Sequence, residues 1–170
     1  MSQEVKKSVI PSKILVPVDF SPSSHQALDA AEELAAKFNA TVILLHVIPE
    51  YANAVLPESV TPESLVEAEK QAANDRFEVS KSVLDGNKIA CTAMVEVGTD
   101  VVSTILDIAE REEVDLLVLT THGLSGWYPQ VFGSIAEKLV KLAQCPVLLL
   151  RSAKPESSAK VTGSRMMEWW

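Results

Sequence analysis

The chain is poor in most of the residues from which specialised chemistry is built. It has two cysteines, Cys91 and Cys145, three histidines, and aromatics at only 5% of its 170 positions. The cysteines have no CxxC or Cys/His spacing, which excludes a zinc-finger pattern and a disulfide scaffold; both read as buried thiols in a reducing compartment. No basic run interrupts a formal net charge of −8, so nucleic acid is not an expected partner. An acidic surface also repels phosphate at long range, and any anion site must therefore rely on local donors. No stretch approaches the ~20 apolar residues that span a bilayer, and residues 1–10 lack a signal-peptide core. The expectation is a cytoplasmic protein that makes no use of a membrane.

Enzyme motifs are missing as well. The sequence has no Gly-x-Ser-x-Gly elbow, no HExxH and no Gly-x4-Gly-Lys-[Ser/Thr] loop. No lysine in the glycine-bearing loop described below would reach terminal phosphates, and no arginine stands near it in sequence to stabilise phosphoryl-transfer charge. Fast hydrolysis is not expected; slow turnover stays open.

What the chain does have is alternation. Near-continuous apolar runs at 14–18, 42–48, 116–119 and 147–150, with a weaker one at 89–95, suit strands covered on both faces. Helical periods lie between them. Ser21-Pro22 reads as an N-cap followed by proline at the first helical position, with Ala27, Ala31, Leu34 and Phe38 forming the inward stripe. A second helix spans roughly 64–85, with Leu65, Ala68, Ala72, Val79 and Val83 on one face, and stops at Gly86-Asn87. A third follows Gly98-Thr99-Asp100, capped by Thr99 or Asp100, with Val101, Ile105 and Ile108 inward. A fourth begins at Ser134, and Pro146 follows its end. The order β-α-β-α-β-α-β-α-β, with right-handed crossovers, gives one parallel sheet with helices on both faces. An apolar share of 47% fits a single globular domain.

Ligands of such sheets bind beyond the carboxyl ends of the strands. Asp19, Val47 and the stretch 120–123 fall at strand ends, and 133–136 opens a helix beside them. Three of the six glycines lie between Gly123 and Gly133. A strand, a glycine-bearing loop and a helix N-terminus together suit a phosphate: glycine permits close approach or positive φ, and the helix offers free N–H groups. Other roles compete for the same residues. Ser134 and Glu137 satisfy a capping-box pattern. Asp19 suits the turn before the first helix. His122 reads as a structural hydrogen-bonder or a phosphate contact, and His46 as a satisfied core residue. His25 should face solvent. Trp127 and Tyr128 either pack within the loop, shield phosphates or meet a neighbouring subunit.

Taken together, Lys13-Ile-Leu-Val-Pro-Val-Asp19, Val42-Ile-Leu-Leu-His-Val47, Asp115-Leu-Leu-Val-Leu119, His122-Gly-Leu-Ser-Gly126, Gly133-Ser-Ile-Ala-Glu137 and Cys145-Pro-Val-Leu-Leu149 resemble the universal stress protein family over about residues 13–151. The resemblance implies an α/β three-layer sandwich, Rossmann-like and of the adenine nucleotide alpha hydrolase type. Its sheet would have five parallel strands in the order 3-2-1-4-5. Many such proteins bind ATP through Gly-x2-Gly-x9-Gly-[Ser/Thr]. Here Gly123, nine intervening residues, Gly133 and Ser134 match the second half of that motif, while Thr120 replaces its first glycine. If that position makes only a backbone contact, threonine serves; if it needs positive φ, binding weakens.

Carried over by position, the resemblance puts Pro17, Val18 and Asp19 beside adenine and ribose, with Val47 closing the adenine pocket. Leu119 and Thr120 would run along the ribose. Gly123, Gly133, Ser134, Ile135 and Ala136, with His122 nearby, would surround the phosphates. ATP or another adenine nucleotide, accompanied by Mg²⁺, is the implied ligand. The implied assembly is a homodimer through the apolar edge strand Val147–Leu150. Nucleotide-dependent change in loop 123–133 would then be read by an unknown protein partner in stress-response signalling. A dimeric interaction module without nucleotide, and a slow ATP hydrolase, are the competing readings. The domain is expected to cover 1–151, with a loop or lid at 49–63. Residues 152–170 form a C-terminal tail, in which Trp169 and Trp170 either remain free or dock into a groove.

Overall fold

The structure, a computed structural model, describes residues 10–51, 57, 59–121 and 133–151. Five strands, β1 (Lys13–Pro17), β2 (Thr41–Pro49), β3 (Cys91–Gly98), β4 (Leu116–Thr120) and β5 (Val147–Leu150), alternate with four helices. The helices are α1 (Pro22–Phe38), α2 (Pro62–Gly86), α3 (Val101–Arg111) and α4 (Ser134–Leu142). All strand pairs are parallel, and the order is β3-β2-β1-β4-β5.

Side chains that alternate along each strand divide the core in two, as the period of a strand requires. Ile14, Val16, Val42, Leu44 and Val118 face α1 and α2, where Ala27, Ala31, Phe77 and Leu84 are buried. Leu15, Ile43, Leu45, Leu117 and Leu119 face α3 and α4, where Ile105, Ile108 and Leu139 are buried. The three-layer sandwich follows from that division.

Local chemistry fixes where the helices begin. Ser21 caps α1, its Oγ accepting from the Ser24 N–H at 3.2 Å, with Pro22 in the first turn. Asp100 caps α3 through the Val102 N–H at 2.8 Å. Thr61 caps α2 in a reciprocal box with Ser64.

The fold also corrects several expectations. Helix α2 buries Ala73, Phe77, Ser80 and Leu84 rather than the stripe through Leu65 and Val79, and Val79 is exposed. A serine sits within the true stripe, so apolar periodicity alone misses it; its hydroxyl turns back to the Arg76 carbonyl at 3.5 Å. In α1 the buried set is Ser24, Ala27, Leu28, Ala31 and Ala35, and Phe38 lies at the exposed end of the helix. In α3 Val102 joins Ile105 and Ile108 as a buried residue, and Val101 packs half-buried against the same core. Strand β3 starts at Cys91 rather than at 89. His25 is half-buried, not solvent-facing. Both cysteines are half-buried rather than fully enclosed, and burial pushes the Cys91 thiol up to about 11. No helix among the described residues is long and apolar enough to cross a membrane.

Candidate functional site

The carboxyl ends of β1, β2 and β4 open into one cavity of about 650 Å³, a size within the range of small-molecule sites. Pro17, Val18, Asp19, Val47, Leu119, Thr120, Gly133, Ser134, Ile135 and Ala136 all line it. The fold thus brings together every sequence-derived site residue that it describes. His122, Gly123, Trp127 and Tyr128 lie outside the described residues, as does the tail.

The cavity straddles the edge of the sheet. Val47, Val101, Ile105 and Leu139 belong to the α3/α4 side. Phe20, His46, Ala73 and Arg76 line the α1/α2 side, where Phe20 packs against the core formed around Phe77. The two sides meet at the ends of the strands.

Beyond β4, Thr121 is buried and its N–H donates to the Leu150 carbonyl at 2.9 Å. Its own carbonyl accepts from the Gly133 N–H at 2.7 Å. The chain therefore leaves the sheet and returns at one point, and α4 starts beside the end of β4. Gly133 occupies the N-cap position at φ −59°, ψ 141°, with no side chain bonded to the helix start. This overturns the capping box: Ser134 is already the first helical residue, one position too late to cap, because the Gly133–Thr121 bond sets the boundary. Glu137 instead holds Lys141 at 2.6 Å, one turn along. Nor does Gly133 need positive φ, so any reason for glycine there is close approach. The remaining described helices start under Ser21, Thr61 and Asp100 side chains. Helix α4 opens onto the cavity with no side chain among the described residues capping its first turn, which is where an anion is stabilised.

Asp19 is oriented by the turn it was expected to make. Its Oδ1 accepts from the Ser21 N–H at 3.0 Å and the Ser21 Oγ–H at 2.6 Å. The chain's path from Asp19 into α1 forces Phe20 to φ 59°, a conformation that costs a bulky residue energy and marks functional loops. Its ring lies 4.8 Å from the His46 ring and 5.3 Å from Phe77, centroid to centroid. His46 Nδ1 donates to the Val18 carbonyl at 2.7 Å. It is satisfied, as expected, but at the cavity wall rather than deep in the core. In its neutral form that bond leaves Nε2 as an acceptor.

Sequence reasoning missed the α2 wall. Glu69 and Arg76 line the cavity from that helix, so an arginine does stand at the site although none is near the loop in sequence. Arg76 sits over the Phe20 ring, 4.9 Å from its centre. Glu69 accepts from the Tyr51 hydroxyl at 2.7 Å, which raises the phenol above its ordinary range. No signal in the linear sequence ties these residues to residues 17–20; only the packing of α2 does. Among the described residues, no group of three or more His, Cys, Asp or Glu side chains could hold a metal ion.

The universal stress protein family model matches residues 11–151. The chain is 32% identical over 146 residues to universal stress protein MJ0531 of Methanocaldococcus jannaschii, covering 85% of this chain and 84% of that protein. It superposes on the structure of MJ0577, from the same organism, with a TM-score of 0.76 and 28% identity, over 86% of this chain and 99% of the other. A universal stress protein solved in complex with cAMP shares the fold at a TM-score of 0.58 and 24% identity, over 85% and 99% of the two chains. The chain belongs to the universal stress protein family.

Proposed function

We propose that this member of the universal stress protein family binds an adenine nucleotide, ATP foremost, in the cavity at the carboxyl edge of its sheet. The observation that carries the reading is the start of α4 at Gly133–Ser134, which no side chain among the described residues caps and which opens onto the same cavity as Asp19 and Val47. Apolar walls at Val47, Val101 and Ile105 suit a planar base; Asp19 suits a ribose hydroxyl; the Ser134, Ile135 and Ala136 amides suit phosphate. The cAMP complex of a structural relative supports an adenine nucleotide on this architecture.

Mg²⁺ would be carried chiefly by the phosphates and water, since the described side chains offer no ligand cluster of their own. The ion would offset phosphate charge beside Asp19. Thr120 ends β4 in regular extended structure, which favours its tolerance in place of the motif glycine.

The protein would act in the cytoplasm as a nucleotide-dependent stress-response component, through residues 1–151. Dimerisation through the edge strand β5 is part of this reading: among the described strands β5 pairs only with β4, and Val140 and Leu142 on nearby α4 are exposed. Mass spectrometry of small molecules released from freshly purified protein is the test. Adenine nucleotide near one per chain is expected; protein that carries none, and whose Tm does not move with millimolar Mg-ATP, would contradict it.

A further inference from the structure

We infer that Arg76, seated over the Phe20 ring, is the residue that reads ligand charge in this cavity and sets its preference for nucleoside polyphosphates over uncharged nucleosides. The inference rests on the nucleotide reading above and goes beyond it to the discrimination among adenine ligands.

The charge balance of the cavity motivates it. Its described lining includes two carboxylates, Asp19 and Glu69, and Arg76 is the one permanently charged cation among them. The whole chain carries −8. A polyanion entering that field needs compensation, and the α4 amides supply it from one side of the sheet edge only. Arg76 supplies it from the other side, on the α2 wall over Phe20.

Geometry makes that arginine suited to the task. Phe20 follows Asp19 directly and is locked at φ 59°, with its ring braced by His46 and Phe77. The platform under the guanidinium is therefore fixed beside the residue assigned to the ribose. A guanidinium seated on an aromatic ring presents several in-plane N–H donors, so a partner it already has leaves others that match phosphate oxygens. Glu69, on the same wall, already accepts from Tyr51. Charge-assisted hydrogen bonds are worth enough to separate ligands by their phosphate number.

Titration of the full chain and of Arg76→Gln and Arg76→Met with ATP, AMP and adenosine tests this. Methionine keeps apolar contact with Phe20 without the charge, so a variant that fails to fold leaves the other to carry the result. Expected is a loss of about tenfold or more for ATP, a smaller loss for AMP, and adenosine unchanged within about twofold. Equal losses for all three ligands, or none, would overturn the inference while leaving the nucleotide reading intact. Wild-type protein that binds none of them would overturn both.

Discussion

Phe20 and His46 lie ring to ring at 4.8 Å while Phe20 takes a left-handed backbone conformation, φ 59°. The packing outweighs a backbone cost of about 1–2 kcal/mol. Truncation should therefore reverse the usual order of alanine and glycine. Phe20→Ala loses the ring and keeps the strain; Phe20→Gly loses the ring and relieves it. Both variants should be destabilised, and the glycine variant should be the more stable by about 1 kcal/mol in urea unfolding. An alanine variant more stable than the glycine one would show that Phe20 is not strained.

Gly98 ends β3 where the chain turns into α3. A Cβ there would collide with the Thr104 hydroxyl, which donates to the Asp100 carbonyl at 2.9 Å. Gly98→Ala should cost about 1–3 kcal/mol. Adding Thr104→Ala should recover most of that loss, a coupling that a double-mutant cycle measures. Additive losses would mean that the two sites do not meet.

His25 gives the fold an acid sensitivity. Burial lowers its imidazole below the ordinary 6.5, against the pull of Asp29 and Asp19 upward. The unfolded chain then takes up the proton first as pH falls, so stability is present above about 6.5 and is lost on acidification below it. His25→Gln should flatten the Tm profile between about pH 7.5 and about pH 5. An unchanged slope would assign the sensitivity to other groups.

The proposed dimer can be tested without disturbing the sheet. Leu117 N–H donates to the Pro146 carbonyl and Thr121 N–H to the Leu150 carbonyl, so alternate residues of β5 face β4. The backbone of Leu149 points outward. Leu149→Pro removes an edge N–H while sparing the β4 ladder. Sedimentation should show a wild-type dimer and a folded monomeric variant. A monomeric wild type, or a variant that stays dimeric, would reject β5 as the interface.

Much of this molecule could be read before the fold was known, for physical reasons. Strands 42–48 and 116–119 are covered on both faces and so appear as unbroken apolar runs, whereas β3 lies at the sheet edge, half-buried, and starts two residues after its apolar run does. Caps at Ser21 and Asp100 are local hydrogen bonds and were legible as such. The cap at Ser134 was not, because a tertiary bond between Gly133 and Thr121 decides where α4 begins. Arg76 and Glu69 join the site only through the packing of a helix more than forty residues along the chain from Asp19, and no local pattern encodes that. Apolar periodicity hides the stripe of α2 because Ser80 occupies a buried position.

The central claim is that the first amides of α4 hold a phosphate, and one substitution isolates it. Gly133, at ψ 141°, has the geometry that precedes proline, and a first helical position accepts proline without loss of an intrahelical bond. Ser134→Pro thus removes one amide donor from a helix that should remain intact, with Ser134→Ala as the control for the hydroxyl. Calorimetric titration with Mg-ATP should give one saturable site per chain in wild type and in Ser134→Ala, and binding weakened about tenfold or more in Ser134→Pro at nearly unchanged Tm. A wild type that releases no heat, or a proline variant that binds as tightly as wild type, would contradict the account.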